Sequence, residues 1–481
     1  MAHVLVFPYP NQGHINPMLQ FSKRLASKGP TTTLLTTHFI INTVQPHAGP
    51  VRLAAISDGH DNGGFGSAGS LEAYLDRFNQ VGSRNLSELI EERRRSGCPF
   101  TCMVYDTFVP WAARVALQHR LPVVAFSTQS CAVSSVYYYV NEGMLDVPAA
   151  GDTAFIAGLP PMERSEFPSF TLKDGLYPTL AKFALSQFNL EKVDWVLFNS
   201  FDELEGEVVT CLKIHWHAKT VGPCVPLTSI DVHAADATIT YGINLLDAEQ
   251  DVCMKWLSTK PTASVVYVSF GSFASLGPKQ MQELASALKD CNKSFLWVVR
   301  STEERDLPGD FLENLPEVNG LVVKWSPQLD VLAHEAVGCF ITHCGWNSTL
   351  EALSSGVPMV AIGLWTDQPT NAKYIEQVWG VGLRVKAGEG GVFMKEEIVR
   401  CVKEVMEGEK GEEIKRNAKK WKELAKEAVS EGGSSDQNLN EFVEYVNGKA
   451  EKYWMDLDKE STGSDAKKPS EVVDLKDEKE I

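Results

Sequence analysis

The sequence predicts an α/β protein made of two doubly wound units. Three observations carry that expectation. Short apolar runs alternate with longer amphipathic stretches, the pattern of a parallel sheet with helices on its faces. The apolar runs fall into two sets, separated by a stretch with little periodicity. The chain has 481 residues, more than one hydrophobic core usually organises, so two domains are the default.

Taken in order, strands are expected in the first half at His3–Phe7, Thr31–Thr37, Cys102–Tyr105, Pro122–Phe126 and Trp195–Phe198. Gly13 lets the chain turn after the first of these, and Met18 to Lys28 reads as a helix. Gly158-Leu159-Pro160-Pro161 opens an irregular region that runs to Phe170. Gly222-Pro223 and Pro226 punctuate the start of an unpatterned segment that ends near Ala248, read as the interdomain linker. Helical patterning resumes at Val252–Leu257. In the second half, strands are expected at Ser264–Ser269, Phe295–Val299, Leu321–Lys324, Cys339–Thr342 and Pro358–Ile362. The expected division is a first domain over 1–222, a linker over 223–248 and a second domain over 249–435. Asn438–Val446 is the last convincing helix. Residues 447–481 are rich in Asp, Glu, Lys and Ser, with few large apolar residues after Met455, and read as a disordered acidic tail.

Composition narrows the function classes. Apolar residues make up 44% and charged residues 22%, both globular values. A formal net charge of −17 disfavours nucleic acid and anionic membrane as partners. No apolar stretch reaches the length of a membrane span. The N-terminus lacks a basic region and reads as a first strand, not a signal peptide. The ten cysteines are scattered without a C-x-x-C pair or zinc-type spacing, so buried thiols in a reducing compartment are expected. Together these point to a soluble cytosolic protein, and a monomer is the expected state.

The chemistry concentrates between Trp325 and Gln368. The apolar run Cys339–Thr342 leads into His343-Cys344-Gly345-Trp346-Asn347-Ser348 and then a helix. A strand that turns into a helix presents unpaired backbone N–H groups and the positive end of the helix dipole, which attract phosphate. His343, Asn347 and Ser348 can each donate to a phosphate oxygen there. Glu351 lies one turn further, where a carboxylate can accept from ribose hydroxyls, as acidic residues do in dinucleotide folds. Trp325 offers a ring face to a base. Asp367 and Gln368 follow a second apolar run, at the sheet edge where open α/β folds bind ligands. Taken singly, Trp325 would read as a packed aromatic and Asp367-Gln368 as an ordinary loop; the ordered set changes that.

This segment resembles the signature box of the plant family 1 UDP-dependent glycosyltransferases. The resemblance implies two facing Rossmann-like domains, the GT-B fold, with an interdomain cleft. It implies that Trp325 stacks on uracil and Gln328 helps hold it, that Glu351 binds ribose, and that His343, Asn347 and Ser348 bind the diphosphate. It implies that Trp346, Asp367 and Gln368 face the sugar, and that Gln368 goes with glucose. Ser269-Phe270-Gly271-Ser272 resembles a family loop in which Ser272 touches phosphate. Thr128, after the strand ending at Phe126, matches a position that can reach the glucose.

A base for the transfer is legible near the N-terminus. His14 follows the first strand and Asp106 follows Cys102–Tyr105, so both belong at C-terminal strand edges. Histidine is the natural general base near neutral pH, and a carboxylate fixes its tautomer. Either residue alone would read as a helix cap or turn residue. Gly13-His14-Ile15-Asn16-Pro17 and Tyr105-Asp106-Thr107-Phe108 resemble the family's catalytic motifs. The resemblance implies deprotonation of the acceptor by His14, inversion at the anomeric carbon, and no metal or other cofactor beyond the UDP-glucose donor. For the acceptor, Tyr9, Asn11, Tyr137, Tyr138, Phe183 and Phe188 are candidate lining residues, each equally readable as core. A steroid-like or phenolic hydroxyl is the leading expectation, with a small aromatic carboxylate as the alternative. A dinucleotide oxidoreductase is disfavoured, because no G-x-G-x-x-G follows a first strand. An epimerase or hydrolase on the same fold, or a non-catalytic UDP-sugar binder, are the remaining rivals. Asp456-Leu457-Asp458 imitates a metal-binding D-x-D but sits in the acidic tail.

Overall fold

A computed structural model describes residues 1–43, 48–172, 178–187, 193–226, 249–272, 275–309, 311–313 and 320–462. Two parallel sheets organise it. The first joins β1 (His3–Phe7), β2 (Thr31–Thr37), β3 (Arg52–Ile56), β4 (Cys102–Asp106), β5 (Val123–Ser127), β8 (Trp195–Phe198) and β9 (Ala218–Thr220), in the order β3-β2-β1-β4-β5-β8-β9. A two-stranded antiparallel hairpin, β6 (Thr153–Ala154) and β7 (Met162–Glu163), lies apart from it. The second joins β10 (Val265–Ser269), β11 (Ser294–Val298), β12 (Gly320–Val323), β13 (Val337–Thr342), β14 (Met359–Ala361) and β15 (Gly382–Arg384), in the order β12-β11-β10-β13-β14-β15. In both sheets the strand order reverses direction beside the first strand, which opens a crevice at the C-terminal strand ends. This is the two-domain GT-B architecture.

All ten expected strands are present, with ends moved by one or two residues. Three edge strands escaped the sequence reading. Arg52–Ile56 is exposed at Arg52, and β9 and β15 are three residues each, too short for a periodicity to register. The central strands are continuous apolar runs because helices cover both faces. Val4, Leu5, Val6 and Phe7 are all fully buried.

The helix Gln12–Ser27 starts just past β1. Asn11 caps it, its side-chain oxygen accepting from the Gly13 N–H at 3.0 Å. Leu19, Phe21 and Leu25 pack with Val4 and Val6 and with Leu439, Phe442, Val446 and Ala450 of the last helix. That helix, Ser434–Thr462, is tied to the first domain by Asn438 Nδ2 donating to Thr220 O (2.9 Å) and by the Lys28–Asp436 ion pair (2.6 Å). It corrects the reading of a disordered tail from residue 447. The apolar stripe through Leu439, Phe442 and Val446 continues to Ala450, which is buried, and to the partly buried Tyr453. The intervening charges lie on the other face and hide that stripe in a compositional reading. Residues 463–481, and most of the expected linker (227–248), lie outside the described residues. Among the described residues, no helix is long and apolar enough to cross a membrane.

Candidate active site

A cavity of about 610 Å³ lies between the C-terminal ends of the two sheets. The loop after β1 brings Tyr9, Asn11 and His14 to it, and the loop after β5 brings Thr128 and Gln129. From the other domain, the turn after β13 brings His343 and Asn347, and the loop after β14 brings Asp367 and Gln368. Residues remote in sequence therefore face one space.

On the first-domain side, His14 Nδ1 lies 2.7 Å from Asp106 Oδ2, and Asp106 is fully buried. The Asp106 carboxylate also accepts from the Tyr9 N–H (3.1 Å) and the Phe108 N–H (2.9 Å). Four acceptor lone-pair positions thus meet three donors, which fixes the carboxylate and places the imidazole proton on Nδ1. The edge of the Phe108 ring, 4.6 Å away, and the Tyr9 ring, 5.3 Å away, brace His14. Thr128 Oγ1 lies 3.1 Å from the same Nδ1. Thr128 thus stands against the imidazole and also lines the cavity.

On the second-domain side, the helix Trp346–Ser355 begins at Gly345 with no side-chain cap. Its first-turn N–H groups remain open to an anion. His343 is wedged between two glycines. A Cβ on Gly271 would fall 2.8 Å from His343 Nε2, and one on Gly345 would fall 2.5 Å from it. Burial drives the His343 pKa down to about 4, with the Ser269 backbone opposing and the Arg300 charge assisting. It is thus a neutral imidazole at neutral pH. Ser272 is anchored through its carbonyl, which accepts from Arg300 Nη1 at 2.5 Å.

Gln328, Ser348 and Glu351 form one cluster. Gln328 Nε2 donates to Glu351 Oε2 (2.6 Å) and Ser348 Oγ (2.9 Å), and Tyr267 Oη donates to Gln328 Oε1 (3.2 Å). Trp325 stands partly buried at the start of the same loop. Residues up to 23 positions apart in sequence thus share one hydrogen-bonded cluster.

Two residues of the turn after β13 also bond across to the first domain. Trp346 is 3% exposed, and its indole N–H donates to Asn199 O of the first domain at 2.7 Å. Its ring packs toward Trp379, so the side chain helps join the two domains, while Trp346 also lines the cavity. Asn347 Nδ2 donates to Gly13 O at 2.5 Å, beside the base.

Asp367 and Gln368 are held firmly. Burial pushes the Asp367 carboxyl up, and hydrogen bonds from Thr366 Oγ1 (2.6 Å) and Asn371 Nδ2 (2.8 Å) oppose that shift. Gln368 Oε1 accepts from the Leu364 and Trp365 N–H groups at 3.0 and 3.2 Å, which turns its amide NH₂ outward from that pair. The loop is strapped to the first domain. Ser169 N donates to Thr366 O (2.8 Å), and Thr366 N donates to Ser169 Oγ (2.7 Å). Nearby, buried Glu166 pairs with Lys373 (2.7 Å) and Arg384 (2.8 Å). Burial alone would raise its carboxyl, but those partners carry it below the usual range. Cys344 and Thr366, neither of them glycine, have φ of 64° and 54°. Such strain concentrates at functional loops.

Of the candidate acceptor residues, Tyr9, Asn11 and Phe183 line the cavity. Tyr137 does not: it is fully buried in the first-domain core. Tyr138 packs against His215 and Trp216 instead, and Phe188 lies outside the described residues. Helical spacing cannot tell a core tyrosine from a lining one. Phe65, Tyr74, Phe108, Phe170, Gln129 and Trp365 also line the cavity and were missed. They come from separate loops and helices, so no local pattern joins them.

Comparison with known proteins decides the family. The family described as UDP-glucoronosyl and UDP-glucosyl transferase matches residues 237–428. Indole-3-acetate beta-glucosyltransferase of Zea mays is 53% identical over 463 residues, covering 92% of this chain and 98% of its own length. The chain belongs to the plant family 1 UDP-glycosyltransferases. Flavonol 7-O-beta-glucosyltransferase UGT74F1 of Arabidopsis thaliana is 48% identical over 451 residues, covering 92% and 98%. The crystal structure of Os79 from O. sativa in complex with UDP is 41% identical, with a TM-score of 0.86, covering 92% of this chain and all of that one. This UDP-glycosyltransferase therefore shares both sequence and GT-B fold with plant glucosyltransferases.

Proposed function

We propose that this enzyme transfers glucose from UDP-glucose to a hydroxyl of a lipophilic plant metabolite, phenolic or steroid-like, with inversion to the β-glucoside. The His14–Asp106 pair, 2.7 Å apart at the wall of the cavity, is the observation that carries the reading. With Nδ1–H committed to Asp106, Nε2 is the basic nitrogen. It takes the acceptor's proton as the acceptor oxygen attacks the anomeric carbon, and Asp106 stabilises the imidazolium that forms. UDP departs from the opposite face of the sugar. The open N-terminus of the helix Trp346–Ser355, neutral His343, Ser272 and Ser348 supply the donors that meet its growing charge. Trp325 and Gln328 hold the uracil, and Glu351 the ribose. Asp367 and the Gln368 amide hold the glucose. The reading requires no metal.

The cavity's chemistry favours a neutral, apolar acceptor. Tyr9, Phe65, Tyr74, Phe108, Phe170 and Phe183 line it, and among the described residues no Lys or Arg does. A cavity of this size suits a flat small molecule beside the sugar.

A second reading is favoured by one specific finding. The maize relative is named for indole-3-acetate, a carboxylic acid, which supports glucose-ester formation as the alternative. A carboxylate is already ionised near pH 7 and needs no base. The test is incubation with UDP-glucose and matched phenol, sterol, flavonol and arylacetic acid acceptors, read by mass spectrometry before and after hydroxylamine. Hydroxylamine-stable hexosides support the hydroxyl reading. Hydroxylamine-labile products alone would replace it with the ester reading. UDP release without any conjugate would argue for hydrolysis.

A further inference from the structure

The strand β7 runs into a single 3₁₀ turn, Arg164–Glu166. Pro168 ends that turn, because the residue before a proline is held extended, and Phe167 has a ψ of 148°. Phe167 and Met162 are buried with Val136 and Ile156, which anchors the turn in the first domain. Glu166 closes the turn on itself, its Oε2 accepting from the Glu163 N–H at 2.9 Å. Its other bonds reach the second domain. Lys373 Nζ donates to Oε2 at 2.7 Å, Arg384 Nη1 donates to Oε1 at 2.8 Å, and Thr370 Oγ1 donates to the Glu166 carbonyl at 2.7 Å. Three residues on, Ser169 donates from its N–H to Thr366 O and accepts at Oγ from the Thr366 N–H.

This strap joins two parts of the cavity wall. Phe170 stands on it, and Trp365, Thr366, Asp367 and Gln368 stand on the segment it grips; all five line the cavity. The Phe170 and Trp365 rings meet edge to face at 5.8 Å. Glu166, Lys373 and Arg384 take no part in the lining. Glu166 is 2% and Lys373 4% exposed, so neither charge is left for a ligand. Glu376, whose Oε2 lies 3.6 Å from Arg384 Nε, balances the second cation. Other contacts between the domains, such as Trp346 Nε1 to Asn199 O and Trp379 Nε1 to Leu204 O, are neutral hydrogen bonds. A buried ion pair is weak as a stabiliser, but charge-assisted bonds of this length hold both partners to one geometry.

We infer that Glu166 is a positioning residue for the transfer, whose carboxylate fixes the Asp367–Gln368 loop to the wall at Phe170 and so sets the donor's sugar relative to His14. The inference rests on the UDP-glucose reading above and adds to it a group that touches neither substrate. Sugar and base are held by different domains, so their register depends on what ties those domains together beside the sugar. Attack needs the reacting atoms about 3–3.5 Å apart, and a shift of about 1 Å can cost roughly a hundredfold in rate.

The test uses the full chain as wild type, Glu166→Asp, Ser169→Ala and the paired variant Glu166→Gln/Lys373→Met, which leaves no bare charge in the buried pair. UDP calorimetry and steady-state kinetics with UDP-glucose and one acceptor are run well below each melting temperature. UDP affinity should stay within about twofold of wild type, because sites that share no partners act independently. The kcat should fall roughly ten- to hundredfold in the paired variant and about three- to tenfold in Ser169→Ala. Acceptor KM should change less than kcat, and Glu166→Asp should restore part of the loss. A merely structural contact would lower the melting temperature and leave kcat alone. An unchanged kcat in both the paired variant and Ser169→Ala overturns the inference, and so does a UDP affinity that falls in step with kcat. If the paired variant does not fold, Ser169→Ala, which removes no charge, decides on the same criterion. Where no acceptor turns over, the affinity that the hexose of UDP-2-deoxy-2-fluoroglucose adds to UDP carries the test. It should fall about threefold or more in the variants, and an equal contribution overturns the inference. A wild type that binds this sugar nucleotide but forms no hexoside overturns the acceptor reading instead.

Discussion

The proposed donor wall and the proposed acceptor wall of the cleft are built in opposite ways. Trp325, Gln328, His343, Ser348, Glu351 and Gln368 come from one continuous stretch, on the ends of β12, β13 and β14 and the helices that follow. Gln328, Ser348 and Glu351 are cross-linked by hydrogen bonds of 2.6–2.9 Å, and the Gln368 amide is fixed by two backbone N–H groups. The acceptor wall takes Tyr9, Phe65, Tyr74, Phe108, Phe170 and Phe183 from separate segments, and they meet mainly through ring contacts. The difference teaches how such an enzyme divides its labour. A fixed ligand needs fixed polar geometry, which constrains neighbouring residues together. A variable apolar ligand needs only shape, which any loop can supply.

That contrast breaks most readily at Glu351. Glu351→Ala removes a 4% exposed carboxylate and strands Gln328. UDP affinity should fall roughly ten- to hundredfold, since hydrogen bonds to charged groups contribute about 1.5–3 kcal/mol. Calorimetry with UDP measures this, and an unchanged Kd would remove Glu351 from the donor site. Gly345→Ala comes next. The new Cβ would press within 2.5 Å of the His343 ring and force that ring out of place. The KM for UDP-glucose should rise about tenfold or less with little change in acceptor KM, by steady-state kinetics.

The acceptor wall should respond more weakly and in the other parameter. Phe65 is 45% exposed, so Phe65→Ala should raise acceptor KM only a few fold and leave UDP affinity alone. A matching loss of UDP binding would show that the walls are not separable. The smallest effect concerns pH. His343 and His3 both have pKa values lowered to about 4, chiefly by burial. Between about pH 6.5 and 4 the unfolded chain binds more protons at these sites than the folded one. Their contribution to stability is therefore complete above about pH 6.5 and is lost progressively as pH falls toward 4. Melting temperature should decline over that window, and His3→Gln should flatten the decline. A slope unchanged in that variant would assign the acid sensitivity elsewhere.

The same contrast explains what the sequence disclosed. Nine of the ten expected strands are central and legible because burial on both faces leaves uninterrupted apolar runs. Edge strands such as Ala218–Thr220 are too short to show a pattern. The base and its partner are legible because each follows a strand, and the fold sends C-terminal strand ends to one crevice. Tyr137 was misread as lining because a helix of Tyr137, Tyr138 and Tyr139 gives no clue which ring turns inward. The bond from Trp346 to Asn199 O was not legible, because its partner is remote in sequence.

The central claim is that His14 acts as the base toward a hydroxyl. Single-turnover and steady-state kinetics of His14→Ala, with a phenolic hydroxyl acceptor and with an arylacetic acid, test it most directly. The account predicts a kcat loss of about 10²- to 10⁴-fold for the hydroxyl, a much smaller loss for the already ionised carboxylate, and unchanged UDP affinity. Equal, minor losses for both acceptors would contradict it.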